Sequence, residues 1–188
     1  WTCIKAANIK EGDTVLLLGT GGVSIFGLQI AKALGANVII TSSSNEKLER
    51  AKDLGADELI NYKENSDWGS KAFQAAGGGV NLVIEIGGGS TFDQSMEALT
   101  IGGHISLIGA LGGVKTELNL LQIVFKNIHT HGITVGSRED HEEMNRFLDE
   151  HQIHPVIDKE VTFEQGADAI MGIAAGNHFG KIVINLDR

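Results

Sequence analysis

The part of the chain that could do chemistry most directly is a glycine-rich stretch after an apolar run. Residues 14–18 read Thr-Val-Leu-Leu-Leu and lead into Gly19-Thr20-Gly21-Gly22-Val23, after which an apolar helical pattern begins. Glycine at 19 permits a tight turn, and glycine at 21 lets a pyrophosphate approach the backbone. The free N–H groups and positive dipole end of the following helix would face that charge. The stretch therefore predicts an anion site.

The same stretch departs from the G-x-G-x-x-G pattern at its third glycine, where the chain has Ser24. The pattern alone is weak, but here a strand, a turn and a helix follow in the required order, and a second strand pattern, Asn37–Thr41, follows about 20 residues on. This context favours a dinucleotide site. An ordinary turn of another α/β protein is the alternative.

The end of the second strand pattern carries hydroxyl groups and no carboxylate. Residues 41–44 read Thr-Ser-Ser-Ser, with Lys47 and Arg50 just beyond. A carboxylate at this point would accept hydrogen bonds from the ribose and repel a 2′-phosphate, whereas hydroxyls and a lysine suit a phosphate monoester. The chain thus favours NADP(H) over NAD(H). Alternatively, Ser43 caps the next helix with Glu46 in a capping box, and both interpretations can hold.

Composition limits the classes of partner. The chain has 188 residues, 42% of them apolar, which suits one large domain, with or without an appendage. A net charge of −9 argues against nucleic acid or an anionic membrane as partner. No apolar stretch in this sequence is long enough to span a membrane, and none has the pattern of a signal peptide. The single cysteine, Cys3, suits a reducing compartment, so we expect a cytoplasmic protein. Because the chain begins at Trp1 rather than Met, we expect its natural start to lie outside the sequence.

Strand and helix patterns alternate along most of the chain. Helices are predicted over 1–8, 22–34, 45–53, 67–76, 91–99 and 118–126, and strands over 14–19, 37–41, 57–61, 80–86, 103–108 and 129–136. Strands that are nearly continuous apolar runs are typical of a parallel sheet covered on both faces. We therefore predict an α/β fold, a doubly wound Rossmann sheet of about six strands, over residues 1–136.

Other side chains that could do chemistry have simpler interpretations. Glu85 precedes Gly87–Gly89 at the carboxyl end of a strand, where ligands bind in such folds, but a hydrogen-bonded structural carboxylate is favoured over an acid beside a ligand. His129 and His131 share a strand face, and His151 and His154 lie in a polar stretch. Without further converging ligands, solvated histidines are favoured over a metal site.

In-order motifs over the whole chain resemble the medium-chain dehydrogenase/reductase superfamily, in its zinc-type alcohol dehydrogenase-like and quinone oxidoreductase-like branch. These motifs lie at 12–23, 47–57, 60–62, 102–109, 132–137 and 178–184. The resemblance implies that Gly19, Thr20, Gly21, Gly22 and Val23 bind the pyrophosphate, which Lys181 would approach. It places Ser42, Ser43, Lys47 and Tyr62 around the 2′-phosphate, and Ile86, Gly87, Ile108, Gly109, Ala110 and Val135 along the nicotinamide.

The resemblance also implies a missing part. Members have an N-terminal catalytic domain that supplies most substrate contacts and, in zinc members, metal ligands; the chain looks as if it starts just after that domain. Cys3 is therefore not carried over as a ligand, and we expect no zinc on this chain. Segment 137–188, with a helix near 139–150, strands near 156–163 and 180–186 and a helix near 164–175, would complete the catalytic domain. Without their partners, we expect these strands to form an exposed, mobile or self-associating edge.

The resulting expectation is the cofactor half of an NADP(H)-dependent oxidoreductase that transfers hydride to or from an alcohol or carbonyl, a quinone or an activated alkene. On its own the chain would be an inactive fragment, with no catalytic residue of its own to name and a small-molecule substrate bound through the missing domain. One alternative is a non-catalytic dinucleotide-binding or redox-sensing domain. Another is a methyltransferase, which would require an acid at the end of the second strand. A homodimer through the sheet edge at Lys126–Val135 is expected by analogy with the family.

Overall fold

The apolar runs form the centre of a parallel sheet in the computed structural model, which describes residues 1–186. Its strands are β1 (Thr14–Leu17), β2 (Asn37–Ser42), β3 (Glu58–Asn61), β4 (Val80–Glu85), β5 (Leu99–Leu107) and β6 (His129–Gly132), with β7 (Ile157–Thr162) and β8 (Lys181–Asn185) in a second sheet. Its helices are α1 (Thr2–Ala6), α2 (Gly22–Ala33), α3 (Asn45–Asp53), α4 (Trp68–Ala75), α5 (Phe92–Ala98), α6 (Leu120–Lys126), α7 (Arg138–Glu150) and α8 (Gly166–Ala174), with a 3₁₀ turn at Gly88–Ser90. The predicted segment 137–188 ends in Asp187 and Arg188, which lie outside the described residues.

The six strands of the main sheet lie in the order β3-β2-β1-β4-β5-β6, and all their pairings are parallel. The chain runs outward from β1 to β3 and then returns to the other side of β1, where it forms β4, β5 and β6. This confirms the predicted doubly wound Rossmann sheet. The reversal of strand order places a crevice at the carboxyl ends of β1 and β4, where such sheets bind ligands.

Alternate residues of the strands supply two cores, one on each face of the sheet. Val15 and Leu17 pack with helices α1 and α2 on one face, whereas Leu16 belongs to the opposite core, with Trp68 and Met96. All three β1 side chains are fully buried. Burial on both faces explains why the strand reads as an uninterrupted apolar run.

The sequence placed two strand ends wrongly. Strand β5 begins at Leu99 instead of 103, because an irregular register lets four residues, 100–103, lie opposite the step from Val80 to Leu82. Gly102, at φ +76°, interrupts the apolar pattern there. Strand β6 ends at Gly132 instead of 136, because its partner β5 ends at Leu107, the residue that pairs with Gly132.

The C-terminal segment packs back onto the start of the chain. Helix α7 begins with a capping box between Ser137 and Asp140, and Asp140 also accepts a 3.0 Å hydrogen bond from Lys5 of α1. The Trp1 and Phe147 rings lie 5.1 Å apart. Strands β7 and β8 pair with each other in parallel, and α8 connects them, so each satisfies one edge of the other. Their outer edges have no neighbouring strand among the described residues, and self-association at this edge stays a prediction. Both strands remain largely exposed.

Candidate functional site at the switch point

The predicted glycine turn lies between β1 and α2, at the switch point of the sheet. Gly19 adopts a left-handed conformation at φ +73°, which a residue with a Cβ atom rarely adopts. Its N–H donates a 3.2 Å hydrogen bond to Thr41 Oγ1, so the turn is joined to the end of β2. Helix α2 then begins at Gly22, and the N–H groups of its first turn have no partner within the helix. This is the backbone arrangement that binds anions.

Ser24 takes the place of the third glycine without opening the turn. Its side chain is fully buried, and its hydroxyl donates a 2.7 Å hydrogen bond to the Leu18 carbonyl. The close approach of helix and strand falls instead at Gly27, where a Cβ atom would lie 3.0 Å from the Leu17 side chain. A small hydroxyl residue followed by a later glycine therefore satisfies the packing that the usual motif assigns to its third glycine.

The helix after β2 is capped by a different serine from the one predicted. The Ser44 hydroxyl accepts the cap hydrogen bond, at 3.4 Å from the Lys47 amide nitrogen, and α3 begins at Asn45. The third helical position is therefore Lys47, so the predicted Ser43–Glu46 capping box does not form. Ser43 makes no cap hydrogen bond to this helix, and its side chain is half-buried.

Two of the residues predicted for the 2′-phosphate, Ser42 and Tyr62, lie together at the ends of β2 and β3. Ser42 pairs in register with Asn61, and the Tyr62 N–H donates a 3.0 Å hydrogen bond to the Ser42 carbonyl. Ser42 is buried and Tyr62 is exposed. The Lys47 ammonium donates a 2.6 Å hydrogen bond to the Gly176 carbonyl, and burial lowers the pKa of Lys47. Ser42 and Tyr62 thus lie together at the strand ends, whereas the Lys47 ammonium, on the helix that follows β2, bonds to the loop after α8.

Five of the six residues predicted for the nicotinamide lie after β4 and β5, in two hydrogen-bonded stretches, and the sixth, Val135, follows β6. The Ile108 N–H donates a 2.9 Å hydrogen bond to the Glu85 carbonyl, and the Leu111 N–H donates a 3.2 Å bond to the Ile86 carbonyl. The stretches approach so closely that a Cβ atom on Gly109 would lie 2.7 Å from that same Ile86 carbonyl oxygen. Gly87 and Ala110 lie in the same pair of stretches.

The Glu85 carboxylate holds the first of these stretches in place. Its Oε1 accepts hydrogen bonds from Gly87 N at 2.7 Å, Gly88 N at 3.0 Å and Thr91 Oγ1 at 2.6 Å, and its Oε2 accepts one from the Ser95 hydroxyl. The side chain is fully buried. The favoured interpretation as a structural carboxylate is confirmed, since every oxygen is occupied by the protein's own donors.

A cavity of about 380 Å³ opens between the start of α2 and the ends of the strands. Its lining includes Val23, Ile108, Val135 and Lys181, along with apolar residues of α1 and α7. The Lys181 side chain lies across the glycine turn, with Nζ 2.8 Å from the position of a Cβ atom at Gly22. The cavity thus joins residues predicted for the nicotinamide to a cation at the predicted pyrophosphate site.

The sequence model of the zinc-binding dehydrogenase family matches residues 22–150. The chain belongs to this family. A zinc-type alcohol dehydrogenase-like protein of Schizosaccharomyces pombe is 44% identical to this dehydrogenase-family chain in an alignment of 188 positions that covers 97% of the chain and 54% of the relative.

Two solved structures share its fold. A putative alcohol dehydrogenase from Sinorhizobium meliloti superposes with a TM-score of 0.91 at 40% identity, over 98% of the chain and 54% of that structure. The quinone oxidoreductase from Thermus thermophilus, solved also as a complex with NADPH, superposes with a TM-score of 0.82 at 26% identity, over 98% of the chain and 62% of that structure. These likenesses confirm the resemblance to the medium-chain superfamily. The chain spans about half the length of its curated relatives.

The residues of this dehydrogenase-family chain do not fit a zinc ion. Within 1–186, no three His, Cys, Asp or Glu side chains come together in a way that could hold a metal ion. His129, His151 and His154 are exposed, and His131 is half-buried, with its Nε2 3.1 Å from Nδ1 of His104. In the same range, no helix is both long and apolar enough to cross a membrane.

The sequence missed one side chain at the site, that of His178. This residue opens the closing motif His-Phe-Gly-Lys, in which only Lys181 was singled out. Its Nε2 lies 3.6 Å from the position of a Cβ atom at Gly21. The motif was visible in the sequence, but the position of His178 over the glycine turn brings together residues that are far apart in the chain.

Proposed function

We propose that this chain is the NADP(H)-binding part of an oxidoreductase, which transfers hydride between nicotinamide and an alcohol or carbonyl, a quinone or an activated alkene. The observation that carries the proposal is the hydrogen bond from Gly19 N–H to Thr41 Oγ1 at the switch point. It fixes the glycine turn beside the hydroxyl-lined end of β2. Sites for a pyrophosphate and for the adenosine ribose thereby lie next to each other, as a dinucleotide requires.

The preference for NADP(H) rests on charge at the end of β2. An acid that would bind ribose hydroxyls is absent from 41–44, and the ammonium of Lys47, on the helix that follows, donates a hydrogen bond to the Gly176 carbonyl. A phosphate dianion is a better partner for an ammonium than a neutral carbonyl. Ser42, Ser43 and Tyr62 would supply further hydroxyl donors to the 2′-phosphate. We therefore infer that Lys47 exchanges the Gly176 carbonyl for the 2′-phosphate.

The chain's own contribution is to hold and orient the cofactor. Backbone N–H groups at Thr20–Val23, in the turn that Gly19 forms, would bind the pyrophosphate together with Lys181, while the stretches at Ile86–Gly87 and Ile108–Ala110 and the side chain of Val135 would border the nicotinamide ring. When bound, the cofactor supplies the hydride chemistry. Substrate contacts would come from an N-terminal catalytic domain, to whose completion segment 137–188 contributes.

Parallel calorimetric titrations of the chain with NADPH and NADH test this proposal. We expect tighter binding of NADPH, and we expect Lys47→Ala to reduce its affinity towards that of NADH. Lys52→Ala, an exposed lysine on the same helix, is the matched control and should change neither affinity. Equal binding of both cofactors by the unaltered chain would remove the 2′-phosphate assignment. Binding of neither would contradict the dinucleotide site itself.

A further inference from the structure

One histidine lies at the glycine turn without a partner in the protein. The His178 Nδ1 atom is buried and has no hydrogen-bond partner, and Nε2 lies 3.6 Å from the position of a Cβ atom at Gly21. A buried ring nitrogen without a partner is costly, and most buried polar side chains have one. The protein's own polar groups therefore do not explain why an imidazole lies here.

The backbone around His178 is fixed to the turn. Gly180 N–H donates a 3.0 Å hydrogen bond to the Thr20 carbonyl, and Gly180 forms a parallel bridge with Gly21. On its other side, Lys181 N–H donates a 2.9 Å bond to the Val156 carbonyl. A Cβ atom on Gly180, which has φ +71°, would lie only 2.4 Å from that same carbonyl oxygen, so this position between Val156 and the glycine turn requires glycine. The imidazole is thus held over the turn by the backbone.

His178 and Lys181 flank the two successive glycines at the start of α2. The Lys181 ammonium lies over Gly22 and the His178 ring over Gly21. Two acidic residues, Asp158 and Asp168, line the neighbouring cavity with His178, and Asp158 is paired with Arg50 at 2.9 Å. A cation and an imidazole therefore lie over successive positions at the start of α2, an arrangement that suits an anion with several acceptor oxygens.

We propose that His178 is a pyrophosphate-binding residue, donating a hydrogen bond from its ring to the dinucleotide. This inference rests on the proposed function, because it assigns a further residue to the same site. We assign His178 to the pyrophosphate and not to the 2′-phosphate, because the ring lies over Gly21, whereas Ser42 and Tyr62 lie at the ends of β2 and β3. NADPH and NADH share the pyrophosphate, so the contribution of His178 should be the same for both.

Binding of both cofactors to variants of the whole chain tests the assignment. We expect His178→Ala to weaken NADPH and NADH by the same factor, about tenfold, as expected for a hydrogen bond to a charged group. His178→Gln, whose amide N–H can reach the Nε2 position, should recover part of the affinity. His154→Ala, an exposed histidine away from the turn, should bind as the unaltered chain does.

The outcomes separate this inference from the proposed function. If the unaltered chain binds NADPH and His178→Ala and His178→Gln bind it equally well, the inference is wrong and the proposed function stands. A loss confined to NADPH would move His178 to the 2′-phosphate and overturn the assignment made here. If the unaltered chain binds neither cofactor, both proposals fail. Thermal unfolding of each variant identifies any loss of fold, in which case the glutamine variant carries the test.

Discussion

The Lys47 ammonium donates a 2.6 Å hydrogen bond to the carbonyl oxygen of Gly176, a residue 129 positions further along the chain. Gly176 follows the C-terminal end of α8, where carbonyl groups without helical partners attract cations. The bond therefore fastens the loop after α8 to the start of α3. The same loop leads to His178 and Lys181, so one lysine connects the predicted 2′-phosphate site to the strand that crosses the glycine turn.

Removing this bond should loosen the loop. We expect Lys47→Met to raise the amide hydrogen exchange rates of residues 176–180 about fivefold, since a net loss of about 1 kcal/mol is usual for such a bond. The measurement is hydrogen exchange without cofactor, read by mass spectrometry. Lys52→Met is the control and should leave the loop unchanged. Equal exchange in all three proteins would show that the bond does not hold the loop.

The buried carboxylate of Glu85 should be the most sensitive single position at the switch point. All four of its hydrogen-bond partners donate to a carboxylate, so Glu85→Gln would replace charge-assisted hydrogen bonds by weaker neutral ones and require the Ser95 hydroxyl to accept instead of donate. We expect a loss of about 2–4 kcal/mol in the free energy of unfolding, measured by urea denaturation. Glu58→Gln, on the exposed end of β3, should cost less than about 0.5 kcal/mol. Similar midpoints for both variants would contradict the structural role of Glu85.

His104 lies against both histidines of β6. Its ring centroid is 4.8 Å from that of His129 and 5.3 Å from that of His131. Burial lowers the pKa of His104, and the neighbouring charges of His129 and His131 lower it further. A proton on this ring is therefore less favourable in the folded chain than in the unfolded one.

This shift has a definite sign for stability. Well above pH 6.5, the ordinary pKa of histidine, neither state is protonated and His104 contributes nothing. As the pH falls through that value, the unfolded state takes up its proton first, so the free energy of unfolding decreases. We expect His104→Gln to lose less stability between pH 7 and pH 5 than the unaltered chain, in urea denaturation at each pH. His154→Gln should follow the unaltered chain, and parallel curves for all three proteins would refute the prediction.

Local sequence patterns were sufficient to predict the central sheet but not the contacts that cross the site. The buried run Val15–Leu18 and the glycines after it specify strand, turn and helix through side-chain size and backbone freedom, which are local properties. The start of β5 was missed because its irregular pairing depends on the neighbouring strand. The bond from Lys47 to Gly176 and the position of His178 over Gly21 were missed for the same reason, since each depends on how distant segments pack. Cofactor contacts of the predicted site residues stay predictions.

Strand β6 is at the end of the described sheet, so one of its edges has no neighbouring strand. We propose that residues 126–135 pair there with a second copy of the chain. Ile133 N–H donates to the Leu107 carbonyl of β5 at 3.0 Å, and alternate residues point the same way, so Thr130 N–H points away from the sheet. Exposed apolar side chains of α6 lie beside this edge, at Leu121, Val124 and Phe125.

Proline at 130 would remove an outward N–H while leaving the β5–β6 bonds intact. We expect a dimer for the unaltered chain and a folded monomer for Thr130→Pro, measured by sedimentation equilibrium with circular dichroism as the check on folding. Thr116→Pro, in the exposed loop before α6, should remain dimeric. Because the edge offers backbone donors whatever its side chains are, Thr130→Val should also remain dimeric. An unaltered chain that stays monomeric at high concentration would contradict pairing at this edge, whereas a dimer that survives Thr130→Pro would place the contact on another surface.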